Sequence, residues 1–221
     1  MVLSTERLAL WLNTPNTTKP VLLDARALEE FKKSGMETEH WPRVSQVLSR
    51  IAPSNGNYLE LGVGSGYALE YMATHAFSGG DCYGLDISDE MVKTCRKRLA
   101  HLKNVTAEAG DFLQWQPPAV RFDVIFSMEV FYYFEDMQAG LNKAADLLAP
   151  RGELLVMVDF YHENSVTHSW PEDVGTPMTL WSKSEYVEGF SKAGLVDVRQ
   201  ELIAGGNSEH GLTLCTGGKI S

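Results

Sequence analysis

The sequence predicts an α/β protein in which a mostly parallel sheet is covered by helices on both faces. Three observations carry this expectation. Short apolar runs rich in β-branched and aromatic residues, such as Cys82–Asp86, 122–126 (FDVIF) and 154–158 (LLVMV), alternate with amphipathic segments of helical period. A turn with alternate glycines, Gly62-Val63-Gly64-Ser65-Gly66, joins one such run to a helix. With 44% apolar residues in 221, the chain is sized for one domain with a substantial core.

The elements follow in order. Residues 3–13 form an amphipathic helix, broken by NTPNTTKP at 13–20. Asp24 is placed to cap a second helix that ends at Gly35, and 40–52 is a third, with Pro42 tolerable in its first turn. This helical cap, 1–52, precedes an alternating core over 53–221. The core reads as strand 57–61, helix 66–77, strand Cys82–Asp86, helix 89–102, strand Val105–Ala109 and strand 122–126. Helix 137–149, strand 154–158, helix 183–193 and strands 196–202 and 211–215 complete it. Ligands of such sheets bind beyond the carboxyl ends of the strands.

Composition excludes several functions. A formal charge of −10 disfavours contact with a phosphate backbone, so no nucleic-acid partner is expected. The basic cluster Arg96-Lys97-Arg98 falls in a helical pattern and reads as a solvated face. Cys82, Cys95 and Cys215 are scattered and odd in number, which fits a reducing cytoplasm rather than a disulfide framework. Glu6 and Arg7 interrupt the apolar stretch a signal peptide needs, and no run approaches membrane-spanning length. His162 and His168 match no trusted metal spacing, so no metal is expected.

The glycine turn departs from the dinucleotide pattern G-x-G-x-x-G, because its third glycine comes one residue early. The loop holds no Lys or Arg, and Glu60 stands beside it. This favours a ligand carrying positive charge over a pyrophosphate. Asp86 ends the second strand 20 residues after Gly66, the spacing of a ribose-binding acid, although it could equally cap the next helix. Asp111, after the third strand, can meet an adenine amino group with Ile87 or Phe112 on the ring, or be a plain loop acid.

The stretches ELGVGSG, LDIS, GDF and FDVIFSMEVFYYF together resemble the successive motifs of class I S-adenosylmethionine-dependent methyltransferases, nearest the small-molecule ubiquinone/menaquinone-biosynthesis branch. The resemblance covers about residues 40–200. It implies a Rossmann-like, seven-stranded, mostly parallel sheet with an antiparallel last strand, and S-adenosylmethionine as cofactor. Glu60, Gly62, Gly64 and Gly66 would hold its methionine end. Asp86 would take the ribose, Ile87, Asp111 and Phe112 the adenine, and Ser127, Met128 and Glu129 the floor near the sulfonium.

The acceptor is expected over the fourth and fifth strand ends. Tyr133, Tyr161 and Trp170 are candidate acceptor contacts, and Tyr132, His162 and His168 candidate bases, each histidine being more readily read as structural. Residues 160–181 lack clear periodicity and read as a lid on a small-molecule acceptor, or as structural cover. Two rivals remain open, a non-catalytic cofactor-binding regulator and a nicotinamide-dependent oxidoreductase. Oligomeric state has no signature in the sequence.

Overall fold

A computed structural model describes residues 36–205 and 213–221. The predicted helices over 3–13 and up to Gly35, and the first residues of the last strand, lie outside the described residues. Within them, α1 (Met36–Leu48) leads to β1 (Tyr58–Leu61), α2 (Tyr67–Thr74), β2 (Cys82–Asp86), α3 (Asp89–Arg98) and β3 (Val105–Ala109). Then come β4 (Phe122–Met128), α4 (Met137–Leu147), β5 (Leu148–Val158), a short α5 (Trp170–Val174), α6 (Lys183–Lys192), β6 (Val196–Ile203) and β7 (Thr213–Lys219).

The strands form one seven-stranded sheet in the order β3-β2-β1-β4-β5-β7-β6. All neighbours are parallel except that β7 runs antiparallel to β5 and β6, as expected. The order reverses at β1 and β4, so the crevice beyond their carboxyl ends is the ligand position this topology creates.

Local chemistry explains the elements. Every residue of β1 is buried, as a central parallel strand requires. Gly84 in β2 leaves room for Val63 and Leu69, whose methyl carbons would lie 2.7 and 2.8 Å from a Cβ there. The Ser88 hydroxyl caps α3 by accepting from the Met91 amide; Asp89 and Glu90 open that helix and Arg96, Lys97 and Arg98 close it, complementing the macrodipole. The basic cluster is not simply solvated. Arg98 pairs with Glu37 and Glu70, and Arg96 donates to the Ala107 carbonyl. α6 carries a full capping box from Ser182 and Glu185. Cys82, Cys95 and Cys215 are buried free thiols.

Three boundaries differ from expectation. Helix α1 begins at Met36, so Pro42 is interior rather than in the first turn, and Glu37 and Glu39 occupy the first turn instead. Strand β5 begins at Leu148, six residues early, through an irregularity in its pairing with β4 where Arg151 adopts φ 64°. Strand β7 continues to Lys219. Gly217 and Gly218, beyond the predicted end of that strand at Cys215, are strand residues pressed on Leu155 and Leu195, where a Cβ would lie 2.9 and 3.2 Å away.

Candidate functional site

The glycines of the β1–α2 turn answer different demands. All three have positive φ: 73° at Gly62, 52° at Gly64 and 85° at Gly66. A Cβ at Gly62 would strike Val130 at 2.2 Å, and one at Gly66 would strike the Cys95 sulfur at 2.7 Å, so both are required by packing as well. A Cβ at Gly64 would meet only Met91 at 3.6 Å and the Gly62 carbonyl at 3.9 Å. A Cβ at Gly64 would thus meet only ordinary van der Waals neighbours, so what favours glycine there is its left-handed backbone.

Asp86 holds that loop in place. Its Oδ2 accepts from the Gly64 amide and its Oδ1 from the Ser88 amide, both at 2.9 Å. Burial raises its proton affinity, while the backbone bonds oppose this. Next to it Ile87 is 63% exposed, an apolar side chain standing in solvent at the rim, fit to lie against a flat ring. Asp111 caps the turn after β3 by accepting from the Leu113 amide at 2.9 Å. Phe112 is buried, with its ring 6.0 Å from Phe134 and under the Lys143 ammonium, so its side chain belongs to the core rather than the rim.

Glu60 is buried in β1, where it accepts from the Tyr58 hydroxyl at 3.2 Å. Burial foremost, with Asp86 adding, pushes its carboxyl up to about 8. A carboxyl so placed is suited to an ammonium group arriving from outside the fold. These features fit the groups of S-adenosylmethionine: an acid for the amino group, a glycine approach, a positioned acid for a diol and an apolar rim for a purine.

Beyond β4 and β5 lies a polar cluster that sequence reasoning assembled only in part. Met128 is half-buried, and Ser127 is fully buried with no described partner for its hydroxyl. Glu129 accepts from the Asp159 amide and from the Tyr132 hydroxyl, the latter at 2.7 Å. The Arg43 Nη1 donates to both Asp159 oxygens, at 3.0 and 2.9 Å, and to the Thr213 hydroxyl. Helix α1 is thereby pinned to the end of β5 and the start of β7. Nearby, burial pulls the His40 imidazole down to about 4, against the raising effect of Asp159. Arg43 and His40 are three apart on α1, which puts both on one face.

The structure does not bring the two predicted histidines into this cluster. Both are exposed; the His168 Nε2 contacts the His162 carbonyl at 3.0 Å, and the His162 amide donates to Trp181. Residues 160–181 are also more ordered than their sequence suggests. They contain a 3-10 turn at Ser165–Thr167 and helix α5, and the Thr179 amide and hydroxyl donate to the Tyr132 and Phe134 carbonyls. Trp170 is half-buried and stacks on Phe160 with centroids 6.3 Å apart, Tyr161 is buried, and Tyr133 is 43% exposed. Among the described residues no group of His, Cys, Asp or Glu is arranged for a metal, and no helix is long and apolar enough to cross a membrane.

A family model for a methyltransferase domain matches residues 36–200, and the chain belongs to that family. It is a class I S-adenosylmethionine-dependent methyltransferase. One similar solved chain comes from the Haloferax volcanii complex of the Trm112 methyltransferase activator with a methyltransferase: 31% identity, TM-score 0.76, covering 87% of this chain and 95% of that one. The trans-aconitate 2-methyltransferase of Rhizobium meliloti is 31% identical over 103 residues, 47% of this chain and 38% of its own. The N-methyltransferase NodS of Bradyrhizobium japonicum, solved with S-adenosylhomocysteine, shares the fold at TM-score 0.63 and 21% identity, covering 98% of this chain and 97% of its own. The chain spans about half the length of the first curated relatives it matches.

Proposed function

We propose that the chain moves the methyl group of S-adenosylmethionine to a small-molecule acceptor by in-line displacement. The observation that carries this is the row of carboxyl groups at the ends of adjacent strands: Asp86 on β2, Glu60 on β1, Glu129 after β4 and Asp159 after β5. Such a crevice attracts a cationic cofactor and repels a phosphate backbone, in keeping with the net charge of −10. The relative that acts on trans-aconitate lends a small-molecule acceptor further support.

When bound, the cofactor supplies an activated methyl group on a sulfonium. The chain's own residues then bind, align and exclude water. Glu60 takes the amino group, Gly62, Gly64 and Gly66 let the backbone approach, and Asp86 accepts the ribose hydroxyls. Ile87 and Asp111 border the purine, with the Phe112 ring as support from the core. Ser127, Met128 and Glu129 floor the reacting end. Tyr133, Tyr161 and Trp170 stand on the acceptor side with residues 160–181 as its cover.

Titration calorimetry with S-adenosylhomocysteine tests the cofactor half. Asp86→Ala should weaken binding by about 1.5–3 kcal/mol for each charge-assisted bond lost. Unchanged affinity in a folded variant sinks the assignment. Labelled S-adenosylmethionine incubated with metabolite, nucleic-acid and protein fractions tests the acceptor half; label entering only macromolecules overturns it. The Haloferax complex favours a second reading, in which an activator subunit joins the chain. Co-elution with the Haloferax Trm112 protein is its test.

A further inference from the structure

The end of β4 carries a device that cofactor binding leaves unexplained. Glu129 follows the strand in left-handed backbone, with φ 58°. A non-glycine residue keeps such a conformation only where its surroundings over-determine it. Here two donors do so from opposite sides: the Asp159 amide holds Oε1 at 2.5 Å and the Tyr132 hydroxyl holds Oε2 at 2.7 Å. The carboxylate is fixed in place rather than left to a flexible turn.

Charges of both signs face it: Asp159, bonded to Arg43, raises the proton affinity of Glu129, and Arg43 opposes this more weakly. Tyr67, the first residue of α2, feels the charges of Glu60, Glu37 and Glu129, opposed by Arg43. Two fully buried hydroxyls have no described partner: Ser127, two residues back in the chain, and Tyr186 of α6, which feels the Glu129 charge. Tyr133 offers an exposed ring on the same 3-10 turn as Tyr132.

We propose that the methyl acceptor is an amine, bound as its ammonium against Glu129, and that Glu129 takes the proton that must leave before the nitrogen can attack. This rests on the methyl-transfer reading above. An ammonium has no lone pair, so deprotonation comes first. One N–H proton passes to a Glu129 oxygen. The freed pair forms the N–C bond, and the pair of the breaking C–S bond returns to sulfur. The product keeps the positive charge as a methylated ammonium, and Glu129 keeps its proton until the next ammonium binds and displaces it to water.

An ordinary carboxylate is a weak base toward an ammonium. Burial first, and the Asp159 charge second, lift Glu129 well above the usual range, which narrows that mismatch. The groups facing it are Asp159 beyond β5, Arg43 from α1, Tyr132 and Tyr133 from the 3-10 turn, Tyr67 from α2 and Tyr186 from α6. An anionic acceptor such as trans-aconitate would meet repulsion here, so the Rhizobium relative's acceptor does not transfer.

Sinefungin tests this without knowledge of the natural acceptor, because it carries a primary amine where the cofactor carries its methyl-sulfonium. Calorimetry on the full chain near neutral pH should show sinefungin binding about tenfold or more tighter than S-adenosylhomocysteine, with additional proton release as Glu129 ionises. Glu129→Gln should erase the preference for sinefungin over S-adenosylhomocysteine. Tyr132→Phe, which removes one of the two donors to Glu129, should reduce the preference without abolishing it. Equal affinity for the two ligands in the unaltered protein, or a preference that survives Glu129→Gln, overturns the proposal. If the unaltered protein binds neither ligand, the cofactor reading falls, and the proposal with it.

Discussion

Replacing Glu60 by glutamine tests the link between a buried acid and a cationic ligand. Glu60 is 4% exposed and accepts from the Tyr58 hydroxyl. Burial, the largest cause, and the Asp86 charge raise it from 4.5 to about 8, with the Tyr58 bond opposing. A lift of that size corresponds to on the order of 5 kcal/mol between the two protonation states. Because the folded value is raised, the stability it contributes is whole below 4.5 and is lost as pH climbs through about 8. An arriving ammonium reverses the preference by pairing with the ionised form. Binding below about 8 therefore expels a proton. S-adenosylhomocysteine affinity should rise about tenfold for each pH unit from 6 to 8 and then level off. Calorimetry in two buffers of different ionisation enthalpy should count about one proton released near pH 6.5. Glu60→Gln should flatten that slope, weaken binding at pH 8 by about 1.5–3 kcal/mol and raise the Tm of the free protein in alkaline buffer. Affinity constant between pH 6 and 8, or a slope that persists in the variant, would refute the reasoning.

Three further outcomes are expected. Gly64→Val should leave the far-ultraviolet circular dichroism nearly unchanged while abolishing S-adenosylhomocysteine binding, since its Cβ would make only ordinary contacts yet the residue must adopt φ 52°; normal binding would make this glycine a turn residue only. Arg43→Met strands Asp159 as a buried charge without its cation and should cost about 3–5 kcal/mol, read as a lower urea midpoint at unchanged slope; an unchanged midpoint would mean that α1 is not tied through this pair. Trp170→Ala should spare S-adenosylhomocysteine binding, lower kcat/KM for the acceptor and speed hydrogen exchange over residues 160–181. Loss of melting temperature alone would make that segment a structural cover.

Much of this architecture was legible because its causes are local. Alternating glycines, an acid at a strand end and an apolar run with β-branched residues each act over a few positions, and the sheet order follows from chaining them. Legibility failed where a contact is distant or where the pattern is mixed. Arg43 meets Asp159 across 116 positions and Thr213 across 170, and neither partner carries a sign of the other. Asp159 did stand visibly at the end of a strand, so the acid was readable but its cation was not. The last strand reads as ending at Cys215 because the crowding that requires Gly217 and Gly218 comes from Leu155 and Leu195, elsewhere in the chain. His162 and His168, readable from the sequence as bases or as structural residues, are exposed, with ring centroids 6.0 Å apart.

The two amide bonds to Asp86 set a condition on what the crevice can tell apart. One carboxylate oxygen is turned by Gly64 and the other by Ser88, so the plane of the group is settled before any sugar arrives. Each oxygen retains a second lone pair. A vicinal diol meets both at once without reorienting the acid, whereas a sugar with one hydroxyl engages half of an already oriented pair. If Asp86 takes the ribose as proposed, fidelity for ribose over deoxyribose is lodged in the backbone of two turns and would survive wide exchange of the side chains around them.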